Sequence, residues 1–432
     1  MTTLANAGKE PRFAALAAID WADEEHAWSL QPADSKKRDH GKMKHTPETV
    51  EDWVMMLRSR FGDQPIAIAV EQSRGALVFM LSKYDNLHIY PIHPRSAAQF
   101  RKALYPSGAK DDPVDAEVLL DLLSHHREHL RPLRPDTVET RSLQNMVQAR
   151  RKLVDQKTAC SNQLTAQLKL YFPQMLSWFD HPGSPLVGAM LEQWPTLEAL
   201  QNAQPDTLRS FMVQHNCRNH ERIEQRLEKI RQAIPATRDP ALIETAVMMT
   251  KVLVTLIANL RETICAFDRK LAEVAAAHPD FAIFDSFPGA GPVMAARLLA
   301  AFGSQRDRYL SAADLQRFSG IAPVTERSGK REWVHFRWAC PVFLKQTFHE
   351  WAGHSVAFCD WARVYYQLQR SRQKGHHAAV RALAFKWIRI AFRCWQDGVP
   401  YDDSRYVDSL RRRRSRLAEL LDSTNRDLSP AA

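Results

Sequence analysis

Pro65-Ile66-Ala67-Ile68-Ala69-Val70-Glu71-Gln72 is a short apolar run, rich in β-branched residues, that ends on an acid. Its length and composition predict a buried strand. Upstream, Phe13-Ala14-Ala15-Leu16-Ala17-Ala18-Ile19-Asp20-Trp21-Ala22 predicts a second strand, with His26-Ala27-Trp28-Ser29-Leu30 as its partner. Between the two runs, Thr46-Pro47 opens a helix that continues to Phe61, a cap followed by a residue whose fixed φ suits the first helical position. Downstream come a helix from about Gly75 to Lys83, a strand at Leu87–Ile92, a helix from about Arg95 and another opened by Asp112-Pro113. Strands alternating with helices predict an α/β domain over residues 12–130.

Beyond Pro135 the strand signals are expected to stop. Leu143, Met146, Val147, Leu153, Val154, Leu164, Leu168 and Tyr171 recur at threes and fours until Pro173, which predicts a long amphipathic helix. Ile223, Leu227, Ile230 and Ile234 form a second such stripe, and a third runs from Ala246 to Val274. This spacing fits an antiparallel coiled coil, within one chain or between two, and fits the core of a helical bundle equally well. Residues 131–278 are therefore read as a helical coiled-coil or linker region, although 174–220 gives no strong signal. Residues 279–405 read as a helical domain, and residues 406–432, with Arg411-Arg412-Arg413-Arg414, as a basic flexible tail. The fold class is α/β plus all-α.

The 432 residues carry 59 Lys+Arg against 49 Asp+Glu, a formal charge of +10, which favours a polyanionic partner. Charge alone moves that expectation only modestly, since a basic tail also reads as a solvated helix end. The six cysteines form no C-x-x-C pair, no signal core opens the chain, and no apolar run nears the length of a membrane span. These features suit a soluble protein of a reducing cytoplasm without structural zinc or a membrane partner.

Asp20 and Glu71 fall at the ends of predicted strands, and Asp112 and Asp115 stand one turn apart at a helix start. Strand ends are where α/β sheets present their sites, and hard oxygen ligands suit Mg²⁺, two of which stabilise both oxygens of a phosphoryl displacement. Singly, Asp112 and Asp115 read better as a cap with its capping-box partner, and Asp20 as a turn residue. Glu71 is harder to dismiss, because it closes an apolar strand with no basic neighbour. Only the combination of all four is informative.

In the C-terminal half, Pro288-Gly289-Ala290-Gly291-Pro292 has the character of a helix-hairpin-helix turn, whose glycines let backbone N–H groups approach a phosphate. Ser328 sits among Arg327, Lys330 and Arg331, where guanidinium groups can stabilise a phosphoryl transition state. From residues alone, both segments read as ordinary turns. His349-Glu350 with His354 mimics a zinc-protease signature, but the spacing of five turns the second histidine off the first one's face. Trp333, Trp338, Trp351, Trp361, Trp387 and Trp395 stand at spacings more typical of core than of base stacking.

The ordered segments Ala-Ala-Ile-Asp20-Trp-Ala, Ala-Val-Glu71-Gln-Ser-Arg-Gly and Ala-Lys-Asp-Asp112-Pro-Val-Asp115-Ala resemble the DEDD transposases of the insertion-sequence 110 family. The C-terminal half adds Pro-Gly-x-Gly-Pro, then Gly320-Ile321-Ala322-Pro323 and Ser328-Gly329-Lys330, also similar to that family. Similarity covers roughly residues 13–172 and 281–403. Asp111 and Pro113 replace a small polar residue and an arginine of the usual motif, and Arg327 replaces the first of two serines.

The resemblance implies a RuvC-like, RNase H-type N-terminal domain whose Asp20, Glu71, Asp112 and Asp115 ligate two Mg²⁺ ions. It implies that Ser328 is the nucleophile, linked transiently to DNA, with Gly289, Gly291, Arg327, Lys330 and Arg331 contacting nucleic acid. It further implies a homo-oligomer, dimer or tetramer, with a composite site between subunits, acting on double-stranded DNA chosen by a structured bridge RNA. The chain is thus expected to be a transposase or recombinase of an insertion sequence. Two rivals stand beside this reading: a RuvC-like junction nuclease that uses water, and a non-catalytic nucleic-acid-binding scaffold.

Overall fold

The computed structural model describes residues 12–104, 112–329, 331–338 and 340–428, except for the side chains of 104, 112, 113 and 424–428. The chain forms two compact units, residues 1–135 and 136–432.

The first unit is built on a five-stranded sheet of order β3-β2-β1-β4-β5. Its strands are β1 (Ala15–Asp20), β2 (Glu25–Pro32), β3 (Asp39–Lys44), β4 (Ile66–Val70) and β5 (Leu87–Pro91). The first three pair antiparallel, whereas β4 runs parallel to β1 and β5 parallel to β4. Among the described residues, α1 (Pro47–Phe61) joins β3 to β4 and α2 (Ala76–Leu81) joins β4 to β5, and α3 (Pro94–Leu104) and α4 (Asp112–His126) follow β5. Thr46 caps α1 by accepting from the Thr49 amide at 3.3 Å, as Thr-Pro predicts.

Strand alternation sorts the apolar residues onto two faces. Ala17, Ile19, Ile66, Ile68 and Val70 pack with Val54 and Leu57 of α1 and with Leu77, Val78 and Leu81 of α2. Ala18, Ala67 and Ala69 face the other way and pack with Leu119, Leu120 and Leu123 of α4. Small side chains on this second face let α4 lie close to the strands, and each fully buried leucine contributes roughly 1.5–3 kcal/mol.

In the second unit, α5 (Val138–Tyr171) packs against α11 (Pro240–Ala276), with the short helices α6 (Gln174–Trp178), α7 (Pro185–Gln193), α8 (Leu197–Gln201), α9 (Pro205–Gln214) and α10 (His220–Gln232) between them. The pair is antiparallel: Thr140 bonds His278 at 2.9 Å, Arg150 clasps Asp268, and the Tyr171 hydroxyl donates to Thr250 at 3.2 Å. One end of the pair shares a core with α6–α10, through Leu164, Leu168, Leu253 and Ile257. The other end, through Leu143, Val147, Leu271 and Ala275, joins the core of the C-terminal helices.

Those helices are α12 (Phe281–Asp285), α13 (Gly291–Phe302), α14 (Ala312–Phe318), α15 (Val342–Phe358), α16 (Asp360–Ser371), α17 (His376–Asp397), α18 (Asp403–Arg412) and α19 (Arg416–Leu428). Trp351, Trp361, Trp387 and Trp395 are fully buried among them. Glu350 takes Arg297 at 2.6 Å and Arg151 at 3.3 Å, so the acid of the zinc-protease lookalike is an ion-pair anchor between helices.

Three expectations from the sequence are corrected here. Strands do not stop at Pro135, because β6 (Val324–Ser328) and β7 (Arg331–His335) form an antiparallel hairpin. Most of its residues are exposed, and charged side chains alternate with Val324, Trp333 and Val334, so they give no core-facing apolar pattern. The described part of the expected tail, residues 406–428, is helical: α18 and α19 bury Val407, Leu410, Leu417 and Leu421 in the C-terminal core, and 429–432 lie outside the described residues. One helix, α11, is long and apolar enough to cross a membrane, with a mean hydropathy of 1.8 in its most apolar stretch. In this structure that helix is the partner of α5, and Leu253, Val254 and Ile257 are buried.

Candidate active site

The parallel register of β1 and β4 pairs Ile19 with Val70, so the next position along each strand is an acid, Asp20 beside Glu71. Alternation assigns Asp20 to the face of Ala18 and Glu71 to that of Ala67 and Ala69, the face covered by α4. Neighbouring strands lie about 4.8 Å apart, so the two acids stand side by side at adjacent strand ends.

Asp112 begins α4, and its side chain lies outside the described residues. Asp115, one turn on, is engaged by Arg101 of α3 and is 15% exposed. Among the described residues, no three His, Cys, Asp or Glu side chains gather closely enough to hold a metal ion. The described part of the site therefore offers a pair of hard-oxygen donors at adjacent strand ends and a third acid held by a guanidinium.

Two further acids on α4 also have basic partners. Asp121 pairs with Arg38 at 2.5 Å, and Glu117 with His40 at 3.4 Å. His40 also bonds Ser29 of β2 at 2.9 Å, so these contacts tie α4 to the antiparallel side of the sheet.

The turn that follows Asp20 is fixed by a buried histidine that sequence reasoning missed. The Ala22 amide donates to Nδ1 of His26 at 3.1 Å, which leaves the proton on Nε2 to be donated to Nδ1 of His45 at 2.8 Å. Burial, and then the nearby His45, lower the pKa of His26 to about 4, so the ring is neutral. A histidine in an inward-facing position of an apolar strand was the available signal.

In the second unit, Ser328 is the last residue of β6 and is exposed, at the tip of the hairpin where Gly329 adopts φ 58°. Lys330 lies outside the described residues. Arg327 pairs across the hairpin with Glu332 at 3.0 Å, and Arg331 is exposed beside Ser328. His335 Nε2 meets Glu326 at 2.7 Å, while its Nδ1 meets the Phe336 carbonyl at 3.0 Å. Those two acceptors, the carbonyl first, raise the His335 pKa above its ordinary value. Trp333, Val334 and Trp338 are 47%, 61% and 70% exposed, unlike the four core tryptophans.

The glycine turn between α12 and α13 divides by role. Gly289 has φ 72°, and a Cβ there would lie 3.0 Å from the α15 backbone at His354 and Ser355. The close approach this glycine permits is thus to another helix. Gly291, with φ 50°, faces open space at the start of α13.

A mixed α/β N-terminal unit followed by a mostly helical remainder is consistent with the fold of a DEDD transposase. Residues 17–173 match the DEDD transposase model of the IS110 type, and residues 282–367 match a model described as the transposase IS116/IS110/IS902 family. The chain belongs to the IS110/IS116/IS902 family of DEDD transposases. It is 27% identical over 408 residues to the mini-circle protein of Streptomyces coelicolor named as a putative transposase for IS117, covering 92% of this chain and 97% of that one. A 43.6 kDa protein of insertion element IS110, from the same organism, is 25% identical over 386 residues, 87% of this chain and 92% of the relative. A 42 kDa protein of insertion element IS900 from Mycobacterium paratuberculosis is 24% identical over 310 residues, 69% and 74% of the two chains.

Proposed function

We propose that this transposase breaks and rejoins DNA strands through a serine-linked intermediate, with divalent cations held by Asp20, Glu71, Asp112 and Asp115. The observation that carries the metal assignment is the β1–β4 register, which sets Asp20 and Glu71 side by side on the face of α4. Two Mg²⁺ ions, when bound there, would polarise the phosphoryl group and stabilise the oxygens that enter and leave. Use of Asp115 as a ligand requires it to exchange Arg101 for the cation.

Ser328 is the nucleophile of this reading. Its Oγ forms a bond to phosphorus, its proton passes to solvent, and the P–O bond to the departing sugar oxygen breaks, leaving that oxygen protonated. Attack by a sugar hydroxyl of another strand reverses the step and restores the serine. Exposure of Ser328 at a hairpin tip supports the role, because a strand of DNA must reach it. Arg327, Lys330, Arg331, Gly289 and Gly291 are assigned contacts with the DNA backbone, although the packing against α15 already accounts for Gly289.

The same reading includes a structured bridge RNA that selects donor and target by base pairing, and a dimer or tetramer assembled through a coiled coil of α5 and α11. The net charge of +10 is in keeping with two nucleic-acid partners. In this reading the enzyme acts in the cytoplasm, on the nucleoid. The test is denaturing electrophoresis of labelled DNA after reaction with Mg²⁺. Wild type should yield a covalent protein–DNA adduct, Ser328→Ala none, and Asp20→Asn none while still binding DNA. Adducts formed by Ser328→Ala would assign the nucleophile elsewhere, and cleavage without any adduct would favour a water-using nuclease.

A further inference from the structure

The sheet of the first unit has a second end. Opposite Asp20, where β1 begins and β2 finishes, lies a half-open hollow of about 790 Å³. Its rim carries Arg12, Lys36, Arg38 and Arg127, and among the described residues none that lines it is acidic. Asp121 holds Arg38 at 2.5 Å, and Gln31 accepts from the same guanidinium at 3.1 Å. Arg127 lies 5.1 Å over the ring of Phe13. Two cations are therefore held in place by neighbours, while Arg12 and Lys36 are exposed. Between them Leu16, Pro32 and Ala33 supply an apolar stretch of floor, beside Ser124 and His125.

We propose that this hollow binds an unpaired nucleotide of a single-stranded segment, with the base and sugar on the apolar floor and the adjoining phosphates on the basic rim. Cations alone would suit any polyanion. The concavity and its floor narrow the choice, because a duplex presents convex rows of phosphates with its bases stacked inside, whereas an unpaired residue can turn its base into a pocket. The site is separate from the acids. From Ala15 to Asp20, β1 rises by about 3.3 Å per residue, so the hollow lies on the order of 17 Å along the sheet from Asp20. The phosphate held here is thus not the one that reacts at the carboxylates. The inference rests on the chain handling nucleic acid as a transposase, and not on the roles assigned to the carboxylates or Ser328.

The test measures binding, not activity, so its failure is distinct from failure of the catalytic assignments. Full-length protein carrying Asp20→Asn is titrated with fluorescent oligothymidylate, with matching oligouridylate, and with a DNA duplex of the same length. Arg12→Ala/Lys36→Ala should weaken single-strand binding by about tenfold near 0.1 M salt. It should also lower the salt dependence by about 1.4 in log–log slope, 0.7 for each phosphate that is no longer neutralised. Duplex affinity should be unchanged. Ala33→Trp, which fills the hollow without altering charge, should weaken single-strand binding to a similar degree. Weaker binding with either sugar supports the proposal, and the oligonucleotide that is affected more identifies which strand occupies the site. Equal weakening for duplex and single strand, or no effect of Ala33→Trp in a protein of unchanged melting temperature, would overturn it.

Discussion

Arg101 of α3 donates to Asp115 of α4, so one of the acids assigned to metal already carries a counter-charge. A guanidinium at this distance opposes a divalent cation by on the order of 1–2 kcal/mol after solvent screening. If Asp115 is a ligand, Arg101→Ala should lower the Mg²⁺ concentration for half-maximal strand cleavage by about tenfold. Asp115→Asn should reduce cleavage at every Mg²⁺ concentration. An unchanged Mg²⁺ requirement in Arg101→Ala would remove Asp115 from the ligand set and leave the ion pair as a brace between α3 and α4.

The two glycines of the Pro-Gly-Ala-Gly-Pro turn should respond unequally to substitution. Gly289→Ala combines a left-handed backbone, φ 72°, with a Cβ 3.0 Å from the α15 backbone. Left-handed strain of about 1–2 kcal/mol and overpacking of about 1–3 kcal/mol together predict a loss of roughly 2–5 kcal/mol. Gly291→Ala meets open space and should lose only the strain, about 1–2 kcal/mol. Thermal unfolding of the two variants compares them directly. If Gly291→Ala instead melts at the wild-type temperature yet binds DNA poorly, its role lies in the backbone approach to phosphate.

Much of the first unit was legible in the sequence because β1 and β4 are apolar runs that end on acids, and a buried parallel strand must be written that way. The relation between Asp20 and Glu71 was not legible, since it depends on register, which only the pairing of Ile19 with Val70 supplies. β3 escaped because it is an edge strand in which Met43 is the one buried residue. The hairpin that carries Ser328 escaped for the same reason in stronger form, its charged residues facing solvent on both sides. In α18 and α19, a few apolar residues that pack into the core are spaced among arginines, and composition hid the periodicity. The basic side chains that meet Glu117, Asp121 and Asp115 come from other segments, so no local pattern announces them.

The buried His26 predicts acid sensitivity of the turn after Asp20. Its folded pKa, about 4, lies below the ordinary value of 6.5, so the unfolded chain binds more protons between those two pH values. Stability from this residue is intact above pH ~6.5 and declines as pH falls toward 4, by on the order of 2–3 kcal/mol over the window. Hydrogen exchange of the β1 and β2 amides should report that decline in wild type. His26→Gln, which has no such titration, should start less protected near neutrality and change less between pH 6.5 and 4. Parallel slopes in the two proteins would show that His26 does not hold the turn through its neutral ring.

His335 predicts the opposite dependence in the hairpin. The Phe336 carbonyl and the Glu326 carboxylate are both acceptors, so both ring nitrogens must donate, and the bonded form is the imidazolium. These contacts raise the folded pKa above the unfolded one. The stabilisation is therefore fully present below about pH 6.5 and is lost as pH rises through the folded pKa. Because Glu326 and His335 clip β6 to β7 two residues from Ser328, loss of the proton should loosen the serine's support. A nuclear magnetic resonance titration of His335 should give a pKa above 6.5 that returns toward it in Glu326→Gln. Over the same pH range, exchange at the Thr325 and Val334 amides should accelerate, and adduct formation by Ser328 should fall. Adduct formation that rises smoothly with pH while those amides lose protection would show that the serine reacts without an ordered hairpin.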